Sequence, residues 1–275
     1  MTSEERWVEV PGGRLWAASD GDGPPIVLLH AGIAAAAIWE PFVPRLTDAG
    51  YRSIRYDARG FGRSTTEDVE HRRADDLGAV LDAFGVGRAC LVGNSQGGMT
   101  ALDFAVLHPE RVAALVMLAS GIGGLEVEMS PRDEAVEKRY EEIDGAGDLE
   151  VLTEFELALW GAGVEQPVER LPADLRAILR PMVLAANVNA EVRGRPVPLD
   201  PPAAERLDQL TMPVLFVHGA LDFSYIETYG RILEERLPDA RLVVLPDVAH
   251  VIALEAPDET ARLIGELVRP LGRFG

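Results

Sequence analysis

The sequence predicts an α/β fold, a mostly parallel sheet with helices on both faces. Several short runs consist almost entirely of apolar residues, as strands covered on both faces require, and amphipathic helical stretches alternate with them. The size agrees, because 275 residues, 47% of them hydrophobic, can bury the core of one such domain.

The N-terminal third contains the strand-like runs WVEV, RLWAAS, IVLLH, YRSIRY and ACLV. The first two are typical of a hairpin around the turn at residues 11–13. A helical stretch that ends at Gly50 separates IVLLH from YRSIRY. The glycine-rich loop DARGFGRS and a helix over residues 73–84 then lead to ACLV, which completes the alternating pattern.

The remaining strands are predicted at VAALVMLAS, PVLFVHG and RLVVLP, all interpreted as buried, and a helical stretch follows each of the last two. The interval between VAALVMLAS and PVLFVHG differs from the rest of the chain, because it is rich in acidic residues and holds the amphipathic stretches LEVLTEFELALW and ADLRAILRPMVLAANV. We therefore predict a core domain of residues 1–120 and 207–275. Residues 121–206 are predicted to form a helical cap over one end of the sheet.

Charge and composition narrow the classes of partner. A formal net charge of −19 disfavours nucleic acid and anionic membrane surfaces. The N-terminal residues lack the apolar segment of a signal peptide, and no apolar run approaches the length of a membrane span. The lone cysteine, Cys90, is interpreted as a buried core residue. These features predict a cytoplasmic protein that acts on a small molecule; they do not predict its oligomeric state.

The motif GNSQGG, residues 93–98, lies between the strand ACLV and a helical stretch. Its first five residues fit G-x-S-x-G, which in this context places a serine on a strained turn with its hydroxyl exposed. Glycines two residues to either side, Gly93 and Gly97, would leave room for the turn, and Gly98 would allow a closer approach of helix to sheet. An ordinary strand-to-helix turn is the alternative, but Ser95 is the predicted nucleophile.

A serine needs a base, and His250 is the histidine best placed to supply one. It follows the last predicted strand on a loop that can reach the carboxyl end of ACLV. The other four histidines have simpler interpretations. His30 ends a strand, His71 and His108 have surface or capping roles, and His218 makes a structural hydrogen bond.

The base in turn needs an acid that holds its tautomer and stabilises the imidazolium. Asp222 follows PVLFVH, the strand before the one that leads to His250, and is the predicted acid. Asp247 is the alternative, although its position in the same loop as His250 suits a turn better.

An oxyanion hole requires backbone N–H groups directed at the oxygen that gains charge. The amide of Gln96, directly after the nucleophile, is one predicted donor. The second is expected in the loop after IVLLH, where the amide of Gly32 is preferred and that of Ile33 is the alternative.

With these residues in place, the sequence resembles the α/β-hydrolase superfamily over nearly its whole length. The resemblance is carried by these segments: His30-Ala31-Gly32, Asp57 to Ser64, Gly93 to Gly98, Gly219 to Asp222, and Ala249-His250 with Glu255 and Pro257. It implies an eight-stranded, mostly parallel sheet with a helical cap, the order Ser95, Asp222, His250 for the triad, and no cofactor or metal. Ala31 departs from the glycine of many relatives, and Asp57 is expected to make turn hydrogen bonds.

The resemblance points to the serine-nucleophile branch, similar to small carboxylesterases and enol-lactonases. We therefore expect hydrolysis of a small ester or lactone through an acyl-enzyme. A carbon–carbon bond hydrolase acting on a vinylogous diketone and a low-turnover ligand-binding receptor are the alternatives. The predicted substrate-binding residues are Ile33, Phe155, Leu159, Trp160 and Met182, of which the cap residues could equally pack the cap onto the sheet.

Overall fold

The computed structural model describes residues 3–274. Its strands alternate with its helices along most of the chain, as the apolar runs predict. The strands are β1 (Glu4–Val10), β2 (Gly13–Asp20), β3 (Pro25–Leu29), β4 (Arg52–Tyr56), β5 (Thr65–Thr66), β6 (Glu70–His71), β7 (Ala89–Asn94), β8 (Val112–Leu118), β9 (Arg195–Pro196), β10 (Val214–Gly219) and β11 (Ala240–Leu245).

Eight of these strands form the main path of one sheet, in the order β1-β2-β4-β3-β7-β8-β10-β11. The pairs β1–β2 and β2–β4 are antiparallel, and every later pair along the path is parallel. The predicted eight-stranded, mostly parallel sheet is thus confirmed. A short ninth strand that the sequence analysis did not predict, β5, pairs with β2.

Burial along the sheet follows position. Every residue of β3, β7, β8 and β10 is buried, because helices cover both faces of these central strands. The prediction that RLVVLP is buried is wrong for most of its length. In β11 only Leu245 is buried and Val244 is 40% exposed, since β11 is the edge strand and has a neighbour on one side only.

The helices connect the strands and carry the segment between β8 and β10. They are α1 (Val43–Asp48), α2 (Arg73–Ala83), α3 (Gln96–Leu107), α4 (Pro131–Gly145), α5 (Leu149–Glu156), α6 (Ala173–Val188), α7 (Ser224–Arg236), α8 (Ile252–Glu255) and α9 (Pro257–Val268). None of the helices within residues 3–274 is long and apolar enough to span a bilayer.

The segment predicted as a cap, residues 121–206, contains α4, α5 and α6. Two of these helices begin at side-chain caps, where Ser130 accepts from the amide of Asp133 and Asp148 accepts from the amides of the first turn of α5. Apolar side chains of the segment belong to the same buried cluster as the sheet: Leu157, Leu159, Ala162, Leu171, Leu179 and Val183. The segment therefore packs directly on the sheet domain.

One element in this segment interrupts the expected helical period. Residues Leu157–Ala162 continue α5 as a π-helix, whose hydrogen bonds span one more residue than those of an α-helix. Trp160 belongs to this turn.

Candidate active site

Ser95 occupies a sharp turn between β7 and α3. Its backbone is left-handed in φ, with φ 52° and ψ −117°, and its N–H donates to Leu118 O at 2.9 Å. A Cβ atom on Gly93 would lie 2.3 Å from the backbone carbon of Gly97, and one on Gly97 would lie 2.3 Å from Leu29 O. The prediction that these glycines provide steric clearance is confirmed.

Two polar side chains, which the sequence analysis did not identify, hold this turn. The Asn94 amide donates to Leu118 O and to His250 O, both at 3.0 Å. The Ser120 hydroxyl donates to Ser95 O at 2.9 Å. Asn94 thereby ties the loop that carries His250 to the residue before Ser95.

Asp222 and His250 form a direct hydrogen bond at the carboxyl ends of neighbouring strands. Asp222 follows β10 and His250 follows β11, and His250 Nδ1 donates to Asp222 Oδ2 at 2.6 Å. The other carboxylate oxygen accepts from the Phe223 amide at 2.8 Å. Both side chains are buried, with 7% and 0% exposure for the histidine and the aspartate. The bond fixes the proton on Nδ1, which leaves Nε2 as the basic nitrogen.

The alternative acid, Asp247, is placed differently. Its side chain is exposed, and its backbone carbonyl accepts from Arg170 Nη1 at 3.0 Å. It takes part in the turn, whereas Asp222 contacts the His250 ring.

The residues expected to form the oxyanion hole lie near one another. Gln96 directly follows Ser95 as the first residue of α3, and a Cβ atom on Gly32 would lie 3.3 Å from Gln96 Oε1, so Gly32 lies against the Gln96 side chain. Within residues 3–274 the backbone N–H groups of Gly32, Ile33 and Gln96 donate to no protein acceptor. These three groups are therefore available to a ligand.

The loop that carries Gly32 is held by His30. His30 Nδ1 donates to Ala31 O at 2.8 Å and Nε2 accepts from the Ala58 amide at 3.0 Å. Burial lowers the pKa of this histidine, which agrees with a neutral, structural ring. Asp57 makes the turn hydrogen bonds expected of it, accepting from the amides of Ala36 at 2.7 Å and Arg63 at 2.8 Å.

The structural hydrogen bond predicted for His218 is not formed. Its Nδ1 is buried without a partner in residues 3–274, and its Nε2 lies 4.0 Å from the Glu227 carboxylate on α7. Burial lowers the pKa of this ring, so the neutral form is favoured. The apolar packing between β10 and α7 leaves its Nδ1 without an acceptor.

The structure brings one of the predicted cap residues to His250. The Trp160 ring lies 4.6 Å from the His250 ring and 5.3 Å from the Phe223 ring. Phe155 and Leu159 line a different cavity, beside α4, whose described lining contains none of Ser95, Asp222 and His250.

The other two predicted substrate-binding residues lie on the side of the oxyanion loop. Met182 lines a cavity with Ala34 and Ala35, the residues that follow Ile33. Ile33 itself is partly buried and packs against the main hydrophobic cluster.

Arg170 links the π-helix to the loop of His250, a connection that the sequence analysis missed. It donates to the carbonyls of Gly161 and Asp247 and forms an ion pair with Glu255. The second oxygen of Glu255 accepts from the Ala249 amide at 2.8 Å. Burial raises the pKa of Glu255, while its ion pair and hydrogen bond act in the opposite direction.

Within residues 3–274, no group of three or more His, Cys, Asp or Glu side chains is arranged to hold a metal ion. The described site contains a serine on a strained turn, a histidine that donates to a buried carboxylate, and backbone amides without protein acceptors.

Comparison with known proteins identifies the family of this fold. A family model described as "alpha/beta hydrolase fold" matches residues 24–143. The chain is 30% identical over 251 residues to a 2-hydroxy-6-oxononadienedioate/2-hydroxy-6-oxononatrienedioate hydrolase of Burkholderia vietnamiensis, covering 89% of this chain and 86% of that protein. It is also 30% identical over 259 residues to a pimeloyl-[acyl-carrier protein] methyl ester esterase of Aeromonas hydrophila, covering 90% and 96%.

Solved structures resemble the whole chain. The structure described as "Est816 as an N-Acyl homoserine lactone degrading enzyme" superimposes with a TM-score of 0.72 at 29% identity, covering 96% of this chain and all of that one. A thermophilic esterase from Thermogutta terrifontis shares the fold, with a TM-score of 0.77 at 23% identity over 98% of this chain and 99% of that one. Esterases and other hydrolases are thus among the relatives, and the chain belongs to the α/β-hydrolase family.

Proposed function

We propose that this protein is a serine hydrolase that cleaves a small ester or lactone through an acyl-enzyme. Ser95 is the nucleophile, His250 the base and Asp222 the acid. The observation that carries the proposal is the 2.6 Å bond from His250 Nδ1 to Asp222 Oδ2, on a loop that Asn94 ties to the Ser95 turn at 3.0 Å. Few structural roles need a buried histidine that donates to a buried carboxylate from a loop tied to a strained serine turn.

Acylation begins when Ser95 Oγ attacks the substrate carbonyl carbon and His250 Nε2 takes the hydroxyl proton. Asp222 stabilises the imidazolium that results. The N–H groups of Gln96 and Gly32 donate to the oxyanion of the tetrahedral intermediate, because they are the neighbouring amides without protein acceptors. The intermediate collapses, and the imidazolium gives its proton to the leaving oxygen.

Deacylation repeats these steps with water. His250 Nε2 accepts a proton from a water molecule as its oxygen attacks the acyl carbon, and the second tetrahedral intermediate releases the acid and regenerates Ser95. For a lactone substrate, the leaving oxygen remains in the acyl chain as a hydroxyl group, so deacylation releases a single hydroxy acid.

Residues 121–206 act as the cap in this proposal. Trp160 covers the His250 ring at 4.6 Å and contributes an apolar wall next to the base. Ile33 and Met182 lie on the side of the oxyanion loop and line the acyl side of the site. Phe155 packs instead between Tyr140, 6.2 Å away, and the Arg139 guanidinium, 5.4 Å away, so it supports the cap.

Replacement of the nucleophile tests the proposal. Ser95→Ala should lower kcat for a broad panel of esters and lactones by at least about 10⁴-fold and should abolish labelling by a fluorophosphonate. Ser53→Ala is the matched control, because it removes a buried hydroxyl of β4 that has no partner within residues 3–274. An unchanged rate in Ser95→Ala contradicts the proposal; a labelled serine with no turnover of any substrate favours a ligand-binding receptor.

Carbon–carbon bond hydrolysis is the second candidate. It is favoured by the 30% identity to the 2-hydroxy-6-oxononadienedioate hydrolase, which extends over 86% of that protein. Side-by-side assays with vinylogous diketone ring-cleavage products and with simple esters separate the two. A kcat/KM at least about 100-fold higher for the diketone would assign the carbon–carbon reaction to the same three residues.

A further inference from the structure

An arginine without an ion pair lies beside the Ser95 turn. Arg73, at the start of α2, is partly buried, and within residues 3–274 it forms no ion pair and no hydrogen bond with protein groups. Its neighbour on the cavity wall, Arg59, is by contrast fully paired with Asp76, at 2.7 and 2.8 Å. A partly desolvated cation without an ion-pair contact is unfavourable in the free protein, and a bound anion would stabilise it.

Arg73 faces two cavities, and both also contact Gln96, the residue directly after the candidate nucleophile. The larger, of about 180 Å³, is bounded by apolar side chains of α3 and of residues 196–203, and Arg72 also lines it. The smaller is lined by His30, Gly97 and Arg193. Arg193 stacks on the Phe61 ring at 4.2 Å and forms no ion pair among the described residues. Unpaired positive charge therefore collects on this side of the site, in a chain whose net charge is −19.

One carboxylate, Asp103 on α3, shares the larger cavity with Arg73. The two groups do not form an ion pair, and Asp103 accepts no hydrogen bond in the part of the chain that the structure describes. Burial raises the pKa of Asp103 to about 6, although Arg73 and Arg206 act in the opposite direction. The cavity thus combines apolar walls, one free carboxylate and an unpaired guanidinium.

We propose that Arg73 binds a carboxylate at the far end of the acyl chain, so that the preferred substrates are half-esters of dicarboxylic acids. The apolar walls of the 180 Å³ cavity contact the methylene groups of such a chain, and the planar guanidinium can donate two hydrogen bonds to the carboxylate. Asp103 opposes the anion and limits its affinity. This inference rests on the proposed function, because it takes Ser95 as the point where the ester is cleaved.

Matched pairs of substrates test the inference. Monomethyl esters of the C4 to C8 dicarboxylic acids are compared with methyl esters of the monocarboxylic acids of equal length, by proton release at constant pH. The measured quantity is the ratio of kcat/KM for the charged ester to that for the neutral ester. Arg73→Met should lower this ratio by about 10- to 100-fold, because it removes hydrogen bonds to a charged group. Asp103→Asn should raise it by about three- to tenfold.

Arg241→Met is the control for net charge, because Arg241 lies on edge strand β11 and, among the described residues, forms an ion pair with Glu266 alone, at 3.7 Å. Its ratio should stay at the wild-type value. A ratio that is unchanged in Arg73→Met, or that falls equally in Arg241→Met, overturns the inference, as does a lower ratio in Asp103→Asn. If Arg73→Met does not fold, Arg73→Gln, which keeps a polar side chain, should show the same loss.

A binding measurement separates this inference from the proposed function. Monomethyl adipate is titrated calorimetrically into Ser95→Ala protein and into Ser95→Ala/Arg73→Met protein. Binding that is about 10-fold or more weaker in the double variant supports the anion site even where no ester is hydrolysed. Equal binding overturns the site, and active Ser95→Ala protein would instead contradict the catalytic assignment.

Discussion

Polar groups on two sides of the Ser95 turn are satisfied to different degrees. On the side of β10 and β11, His250 donates a hydrogen bond to Asp222, and the Asn94 side-chain amide donates one to the His250 carbonyl. On the side of α2, Arg73 and Asp103 share a cavity without pairing.

This difference separates two tasks. A satisfied hydrogen-bond network holds its members in one geometry, which general-base catalysis needs before the substrate arrives. Unsatisfied charges cost stability in the free protein and are stabilised when a complementary ligand binds. Under the proposed function, the β10–β11 side supplies the catalytic groups and the α2 side selects the substrate. The following predictions test that division.

The largest effect is expected from Asp222→Asn. Asparagine keeps the volume, but its amide can present N–H groups to His250 Nδ1 and so stabilise the tautomer that carries its proton on Nε2. We expect kcat for ester hydrolysis to fall by about 10³- to 10⁴-fold, with a small change in the free energy of unfolding. Asp247→Asn is the control. An equal loss of kcat in that variant would contradict the assignment of Asp222 as the acid.

The turn itself is tested by Gly97→Ala. The added Cβ would lie 2.3 Å from Leu29 O, a backbone atom of a central strand that cannot move away cheaply. We expect the free energy of unfolding, measured with urea, to fall by about 3 kcal/mol or more. Gly87→Ala is the matched control, because a Cβ at Gly87 meets no atom within 4 Å. Equal stability of the two variants would show that the turn is not sterically closed.

The sequence predicted the parts of the site that depend on local pattern. The glycines around Ser95 and the positions of Asp222 and His250 after strands are local features, and parallel strands bring such positions to one edge of the sheet. The contact of Asn94 with His250 joins residues 156 positions apart in the sequence, and no local pattern indicates it.

The cap shows why a helical period is not enough. An α-helical period places Phe155 and Leu159 on one face, and the two residues do line one cavity, beside α4. The residue that meets the His250 ring is instead Trp160, in the π-helix over Leu157–Ala162. That contact joins residues far apart in the sequence, so a local helical period does not indicate it.

Arg170 tests whether the cap supports the geometry of the base. In Arg170→Gln the buried Glu255 carboxylate loses its ion pair, and the bonds to Gly161 and Asp247 are weakened. We expect a loss of about 2 kcal/mol in the free energy of unfolding and about 10-fold in kcat. Because the missing charge raises the pKa of Glu255 further, the loss of stability should grow as the pH rises.

Two variants sharpen this result. Arg132→Gln removes an ion pair with Glu165 on the exposed side of the cap, 2.8 Å long, and should change stability by less than about 1 kcal/mol. The double variant Arg170→Gln/Glu255→Gln removes the unpaired charge and should recover part of the stability of Arg170→Gln. A double variant that is less stable still would show that Glu255 does not need its partner.

The smallest expected effect is a change in stability on the α2 side of the site, where Asp103 forms no ion pair among the described residues. The pKa of Asp103 is raised from 3.8 to about 6 by burial, so its protonated form is the one that the folded state favours. The contribution of protonated Asp103 to the stability of the folded state is complete below about pH 4 and is lost as the pH rises to about 6. In Asp103→Asn this loss is absent. After allowance for solvent screening, we expect the variant to gain about 1 kcal/mol over wild type between pH 4 and pH 6.5.

Urea unfolding of both proteins across this range measures the gain, and the difference between them cancels the other carboxylates. Asp48→Asn, at the exposed end of α1, removes the same charge from the surface and controls for net charge. A difference between wild type and Asp103→Asn that does not vary with pH would mean that Asp103 has a partner in solution. The α2 side would then be as satisfied as the β10–β11 side, and the division between reaction and recognition would fail at this cavity.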